Sequence, residues 1–278
     1  MENAVNKTRQ EEVKNKEILL KVENLRREFG SGSNKVIAVK DVNFEVRRGE
    51  IISLLGESGS GKTTVARMIL RLLEPTSGRI LYKGEDISKF KNRKKALNYW
   101  KHVQAVFQDP FSSFNIFYSV HRVLNNTYRL MDKEVGKEER EKEIRNALET
   151  VGLNPNELLN KKIFELSGGQ RQRIMIARII LLKPDILIAD EPTSMIDASS
   201  RVSILNYLMS LRTSYNMTII FITHDIGLAY YTSDRLLVMN KGEIVEQGTA
   251  DEVVENPKHE YTKKLLSDVP VIMRKWDL

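Results

Sequence analysis

Apolar and polar positions alternate along Ile18–Val22 and Val36–Val46, the period of strands that bury one face. After a turn at Arg48-Gly49, the short run Glu50–Leu55 becomes largely apolar, as in a parallel strand covered on both sides. A glycine-rich stretch, Gly56–Gly61, leads into a helical segment over Lys62–Leu73. Helical patterning dominates from about 120 to 180, where Ile144, Ala147, Leu148 and Val151 share one helix face. Apolar strand runs return at Asp185–Ala189 and Thr218–Ile222, with a helix over Ser200–Arg212 between them. The last strands, Arg235–Met239 and Glu243–Glu246, are hinged at Lys241-Gly242. Residues 1–17 are charged and aperiodic, which predicts a frayed tail. Strands alternating with helices predict an α/β core built on a parallel sheet, interrupted by a helical subdomain of about 60 residues.

Composition narrows the chemistry. The chain of 278 residues has no cysteine, which excludes disulfides, thiolate zinc sites, cysteine-held iron–sulfur clusters and a cysteine nucleophile. Its 41% hydrophobic content is enough for a core. The net charge of +7 comes from 44 basic and 37 acidic residues that are interspersed, so it weakly indicates an anionic partner. The longest apolar-rich stretch, Ile174–Ala189, is broken by Arg178, Lys183 and Asp185, and no bilayer-spanning segment is expected. The polar N-terminus has no apolar core of the kind a signal peptide needs.

Three motifs carry the chemistry. Gly56-Glu57-Ser58-Gly59-Ser60-Gly61-Lys62-Thr63 fits the phosphate-loop pattern between a predicted strand and a predicted helix. Its glycines let main-chain N–H groups turn toward phosphates, Lys62 reaches the β- and γ-phosphates, and Thr63 offers a hydroxyl to Mg²⁺. Thr64 follows it at the positive end of the helix. The run Ile186–Ala189 ends in Asp190-Glu191, placing two carboxylates at a strand's carboxyl end. There Asp190 suits a water-mediated Mg²⁺ contact and Glu191 suits polarising an attacking water. Leu166-Ser167-Gly168-Gly169-Gln170 precedes a helix over Arg171–Leu182, with Ser167 at the N-cap and two glycines in a start that favours an anion.

Together with Gln108 and His224, these motifs resemble the ATP-binding subunit of an ABC transporter, from about Leu19 to Leu266. The resemblance implies an α/β P-loop NTPase core of RecA-like type, with an N-terminal antiparallel β portion and an inserted α-helical subdomain. It implies ATP and Mg²⁺ as ligands, with Thr63, Gln108 and Asp190 toward the metal. Glu191, His224 and Gln108 take the catalytic roles, His224 as the switch residue on the γ-phosphate. Gly56, Ser58, Gly59, Ser60, Gly61, Lys62, Thr63 and Thr64 hold the phosphates. Phe29 stands where the family stacks an aromatic ring on adenine; the other reading of such a residue is core. The resemblance also implies that Ser167, Gly168, Gly169 and Gln170 face the γ-phosphate bound by a partner subunit. Ser194-Met195-Ile196-Asp197 occupies the dimer-contacting loop, with Met195-Ile196 where the family more often has Ala-Leu.

Gln108-Asp109-Pro110-Phe111-Ser112-Ser113 and Asn256-Pro257-Lys258-His259-Glu260-Tyr261-Thr262 are similar to segments of peptide and nickel importers, with departures at Phe114, Ile116 and Glu260. The resemblance therefore implies ATP-driven uptake of oligopeptides or dipeptides, with oligosaccharides or nickel as alternative cargo. A soluble, non-transport ATPase of the same type is the competing class. It predicts tandem cassettes or a long coiled-coil insert. One phosphate loop is present, and Ser167 lies 105 positions after Lys62 without sustained heptads. Implied partners are two transmembrane permease subunits, a second ATP-binding subunit (a related chain or an identical copy) and an external solute-binding protein, with no nucleic acid. The implied location is the cytoplasmic face of the membrane. The expected organisation is a tail at 1–17, core at 18–109 and 179–254, a helical subdomain with the signature at 110–178, and a C-terminal extension at 255–278.

Overall fold

The computed structural model describes residues 16–108, 114–131, 135–194, 196 and 198–267. In chain order the strands are β1 (Ile18–Phe29), β2 (Val36–Arg47), β3 (Ile51–Leu55), β4 (Ser77–Tyr82), β5 (Glu85–Asp86), β6 (Val103–Val106), β7 (Ile186–Asp190), β8 (Thr218–Thr223), β9 (Arg235–Asn240) and β10 (Glu243–Thr249). The α-helices are α1 (Lys62–Ile69), α2 (Arg93–His102), α3 (Val120–Asn125), α4 (Lys137–Thr150), α5 (Pro155–Leu158), α6 (Gly168–Leu182), α7 (Ala198–Tyr215), α8 (Ile226–Thr232), α9 (Ala250–Glu255) and α10 (Glu260–Ser267). The fold divides into a first unit, drawn from residues up to Ser88 and from Ile220 onward, and a second, Lys89–Ile219.

In the first unit an antiparallel sheet runs β2–β1–β4–β5, with Val22 opposite Phe44 on one side and Ile80 on the other. β1 continues well past Val22, where the alternation predicted its end. Asn24 adopts φ 49°, and the register shifts around it break the two-residue period while pairing carries on to Phe29. The second sheet of this unit runs β10–β9–β3–β8, with β3 parallel to β9 in the register Leu54↔Leu237. All of β3 is buried, and its one polar side chain, Ser53, is satisfied by the Ser233 hydroxyl at 2.6 Å. The core beneath this sheet gathers Leu55, Leu236 and Val238 from strands with Ile226, Ala229, Ala250 and Val253 from α8 and α9. α1 stops earlier than its apolar pattern predicted, because Arg71 turns left-handed at φ 57° just beyond the cap at Leu70.

In the second unit β6 and β7 pair in parallel, Val103 opposite Ile186 and Val106 opposite Ala189. α4 turns Ile144, Ala147 and Leu148 inward, the face its sequence predicted, and packs on α6. α6 is buried over most of its circumference. This unit takes in β6, β7 and α7 along with the helical block expected at 110–178. Among the described residues no helix is long and apolar enough to cross a membrane.

Candidate nucleotide site

The glycine-rich loop leaves the buried end of β3 and opens α1. Gly56 has φ 155° and lies so near the β9 backbone that a Cβ there would meet the Met239 carbonyl oxygen at 2.2 Å. Gly61, at φ 106°, lies against the Ala38 carbonyl oxygen, where a Cβ would stand at 2.5 Å. Both positions therefore require glycine on steric grounds as well as conformational ones. The turn between β9 and β10 supports the loop from behind: the Gly242 N–H donates to the Ser60 carbonyl at 3.0 Å, and the Lys40 N–H donates to the Gly242 carbonyl at 2.8 Å.

Gly61 is also the N-cap of α1, with no side-chain cap on the first-turn N–H groups. A helix start of this kind favours an anion. Lys62 is buried, 6% exposed, and its ammonium group donates to the Gly56 carbonyl at 2.7 Å, the Glu57 carbonyl at 2.7 Å and the Ser60 hydroxyl at 3.2 Å. A phosphate oxygen would take the same donors through charge-assisted bonds, which are stronger than bonds to these uncharged acceptors. Thr63 and Ser58 are exposed beside them, and Gly59 has open space around it. The cradle thus fits the phosphates of a nucleotide.

Two more expected residues lie in this unit. His224 follows β8, exposed, just before Asp225, whose side chain caps α8 by accepting the Leu228 N–H at 3.0 Å. Phe29 ends β1 and is 40% exposed, with the Arg27 guanidinium 4.6 Å from its ring centroid. It is therefore not a core residue.

The second unit holds the carboxylates and the signature. Asp190 closes β7 and is 7% exposed. Glu191 follows in the left-handed region at φ 44°, a costly conformation for a residue with a Cβ. Its carbonyl accepts the Ser194 N–H at 3.2 Å and the Ser194 hydroxyl at 3.0 Å. Gln108 lies exposed two residues beyond β6. Met195, Asp197 and residues 109–113 lie outside the described residues. At the start of α6, Ser167 and Gln170 form a reciprocal capping box: the Ser167 hydroxyl accepts the Gln170 N–H at 3.2 Å, and the Gln170 side chain accepts the Ser167 N–H at 3.0 Å. The Gly168 and Gly169 amides stand outside that box at the positive end of the helix.

Two functional supports were not among the residues singled out from the sequence. Buried Arg171 donates to the Ile163 carbonyl at 2.9 Å and the Phe164 carbonyl at 3.1 Å, tying the start of α6 to the segment before it. Buried Gln172 donates to the Pro192 carbonyl at 2.8 Å, tying α6 to the loop after Glu191. An Arg and a Gln just before the apolar run Ile174–Ala177 were the available signal. The first unit therefore brings together the phosphate loop with its lysine, and the second links the signature helix to the Asp190-Glu191 loop. Among the described residues no cluster of His, Cys, Asp and Glu could by itself hold a metal. Thr63, Gln108 and Asp190 each carry an oxygen donor of the kind a hard cation takes.

Residues 39–194, more than half of the chain, match the ABC transporter family, and residues 245–278 match the C-terminal region of the oligopeptide/dipeptide transporter family. The oligopeptide transport ATP-binding protein OppF of Bacillus subtilis is 42% identical over 255 residues, covering 92% of this chain and 83% of that protein. The oligopeptide transport ATP-binding protein AmiF of Streptococcus pneumoniae is 42% identical over 258 residues, covering 92% of this chain and 82% of its own. Among solved structures, the dimeric post-hydrolysis state of the ATP-binding cassette MJ0796, bound to ADP and Pi, superposes with a TM-score of 0.75 at 27% identity, covering 84% of this chain and 99% of that one. The cbiO1 protein of Clostridium perfringens, part of the ABC transporter complex cbiONQ, gives a TM-score of 0.73 at 31% identity, covering 87% and 92%.

Proposed function

We propose a function from one premise: this chain belongs to the ABC transporter family. It is an ATPase subunit that couples ATP binding and hydrolysis to the uptake of oligopeptides or dipeptides. The observation that carries the cargo assignment is the agreement of two separate regions. The nucleotide-binding part and residues 245–278 both match peptide transporters, at 42% identity to OppF along 92% of the chain.

Within that function the phosphates lie on Gly56, Ser58, Gly59, Ser60, Gly61, Lys62, Thr63 and Thr64, and Phe29 takes the adenine. Mg²⁺ supplies charge neutralisation when bound, held through Thr63, Gln108 and Asp190, whose oxygen donors suit it. Glu191 accepts a proton from the attacking water, and His224 steadies the γ-phosphate. Ser167, Gly168, Gly169 and Gln170 complete the site of a second ATP-binding subunit, a related chain in preference to an identical copy. The helical subdomain is assigned to 110–178, and two membrane permeases hold the protein at the cytoplasmic face. An external binding protein delivers cargo to them.

The test pairs one chemical and one cellular measurement. Lys62→Ala removes the ammonium that reaches the phosphates, so ATP affinity should fall at least about tenfold and hydrolysis should vanish. Cells lacking this chain should lose uptake of labelled short peptides and regain it from the parent gene, not from the Lys62→Ala form. Restored uptake of an oligosaccharide or of nickel, with peptide uptake unchanged, would replace the cargo.

A further inference from the structure

The region after β10 folds back onto the phosphate loop. The Glu246 carboxylate accepts two main-chain N–H groups at once, that of Lys258 at 2.8 Å on one oxygen and that of His259 at 3.0 Å on the other. Burial pushes this carboxyl up, but it lies below the usual carboxylate range, with the Lys258 and His259 amides favouring its charged form. The clasp is therefore charged at neutral pH. It fixes the start of α10, where the Tyr261 N–H also donates to His259 Nδ1 at 3.1 Å. From there Tyr261, Leu265 and Leu266 pack onto the core cluster that contains Leu55 and Ile226. Leu55 is the residue before Gly56, and Ile226 opens the helix just after His224.

Tyr261 does more than fill this core. Its hydroxyl accepts the Glu57 N–H at 3.1 Å. That N–H belongs to the peptide group joining Gly56 to Glu57. The carbonyl of the same peptide group is the Gly56 oxygen that receives the Lys62 ammonium at 2.7 Å. One peptide plane is thus held from both ends, by the lysine of the phosphate loop and by a tyrosine 204 positions away in the chain. Peptide planes next to glycine flip readily, because Gly56 has no Cβ to resist it. A flip here would turn the carbonyl away from Lys62 and the N–H away from Tyr261 together.

We propose that Tyr261 is a positioning residue for the phosphate loop. Its hydroxyl sets the Gly56–Glu57 peptide plane and with it the resting place of the Lys62 ammonium, so the C-terminal region tunes nucleotide affinity. The effect on affinity rests on the assignment of this loop to ATP; the effect on the peptide plane does not.

The test uses the full-length chain carrying Tyr261→Phe, which keeps the ring in the core and removes only the hydroxyl. Amide hydrogen exchange at Glu57, measured without nucleotide, should quicken by roughly three- to tenfold, the range one lost hydrogen bond allows. The KM for ATP should rise by a similar factor while kcat at saturation stays within about twofold, since the reacting groups are untouched. The thermal midpoint should match the parent. A parent-like exchange rate at Glu57 would overturn the contact, and a lowered kcat with unchanged KM would overturn the positioning role. If the parent itself binds no ATP while Tyr261→Phe still quickens exchange, the positioning stands and the nucleotide assignment falls. Should the thermal midpoint drop, Leu265→Ala serves as the comparison. It loosens the same helix and keeps the hydroxyl, so equal exchange at Glu57 in both variants would count against a specific role for Tyr261.

Discussion

Glu191 shows what a single residue contributes here and how it is tested. Its left-handed backbone at φ 44° is held by the Ser194 amide and hydroxyl, both on the Glu191 carbonyl. Strain of this kind, on the order of 1–3 kcal/mol, persists where surrounding bonds over-determine it. Glu191→Gln keeps size and backbone and removes the negative charge. Nucleotide binding should be preserved within about threefold, while hydrolysis should fall by roughly 10²- to 10⁴-fold, the usual worth of a positioned base. Equilibrium binding of a fluorescent ATP analogue and phosphate release under single-turnover conditions separate the two effects. Phosphate release at the parent rate would move water activation to another group, with His224 the first to examine. The phosphate loop was legible in the sequence because its function acts through local backbone: Gly56 and Gly61 stand where any Cβ would strike a carbonyl oxygen. The bonds that hold Lys62 were not legible, because carbonyl acceptors belong to every residue and leave no compositional trace.

At the scale of elements, α6 stands out for its burial. A helix on the surface shows one apolar stripe, whereas α6 is buried on nearly all sides and carries Arg171 and Gln172 among its buried residues. Arg171 stays inside because its guanidinium donates to the Ile163 and Phe164 carbonyls, the first of which also accepts the Leu166 N–H at 3.3 Å. Arg171→Met replaces it with an apolar chain of similar length, leaving the Phe164 carbonyl without this donor and the Ile163 carbonyl with the Leu166 N–H alone. The cost should be roughly 2–4 kcal/mol, read as a lower denaturant midpoint with the slope unchanged. The same variant should speed amide exchange at Ile163–Gly169 while leaving the phosphate loop of the first unit at its parent rate. A midpoint equal to the parent's would show that water can replace the guanidinium. Helical periodicity announced α4, whose Ile144, Ala147 and Leu148 are all inside. It did not announce that β1 reaches Phe29, because bulges around Asn24 shift the alternation that marks a strand.

For the whole molecule, the decisive question is where the signature segment acts. The capping box occupies the Ser167 hydroxyl and the Gln170 amide but leaves the Gly168 and Gly169 amides at the positive end of α6. Through Gln172 and the Pro192 carbonyl, the same helix is tied to the loop that follows Glu191. An anion bound at the start of α6 would therefore be mechanically close to this chain's own carboxylates. The family reading holds that this anion is the γ-phosphate of a second subunit. Gly169→Asp places a carboxylate in that first turn. An acid there favours the helix through its dipole, so the fold should be intact, while like charges should repel in a partly desolvated contact. The measurement is a mixed pair in which only this chain carries Gly169→Asp and only one phosphate loop at a time is functional, the other silenced by Lys→Ala. ATP should bind the variant chain with parent affinity, because Lys62 and Thr63 are unchanged. Turnover at the partner's phosphate loop should fall by at least about 10²-fold, the scale of losing one transition-state contact. Turnover at this chain's own loop should be unaffected by the substitution. Loss confined to this chain's own loop would place the signature inside one subunit. Two sites shared between subunits would then have to be given up, even with the ATPase assignment intact.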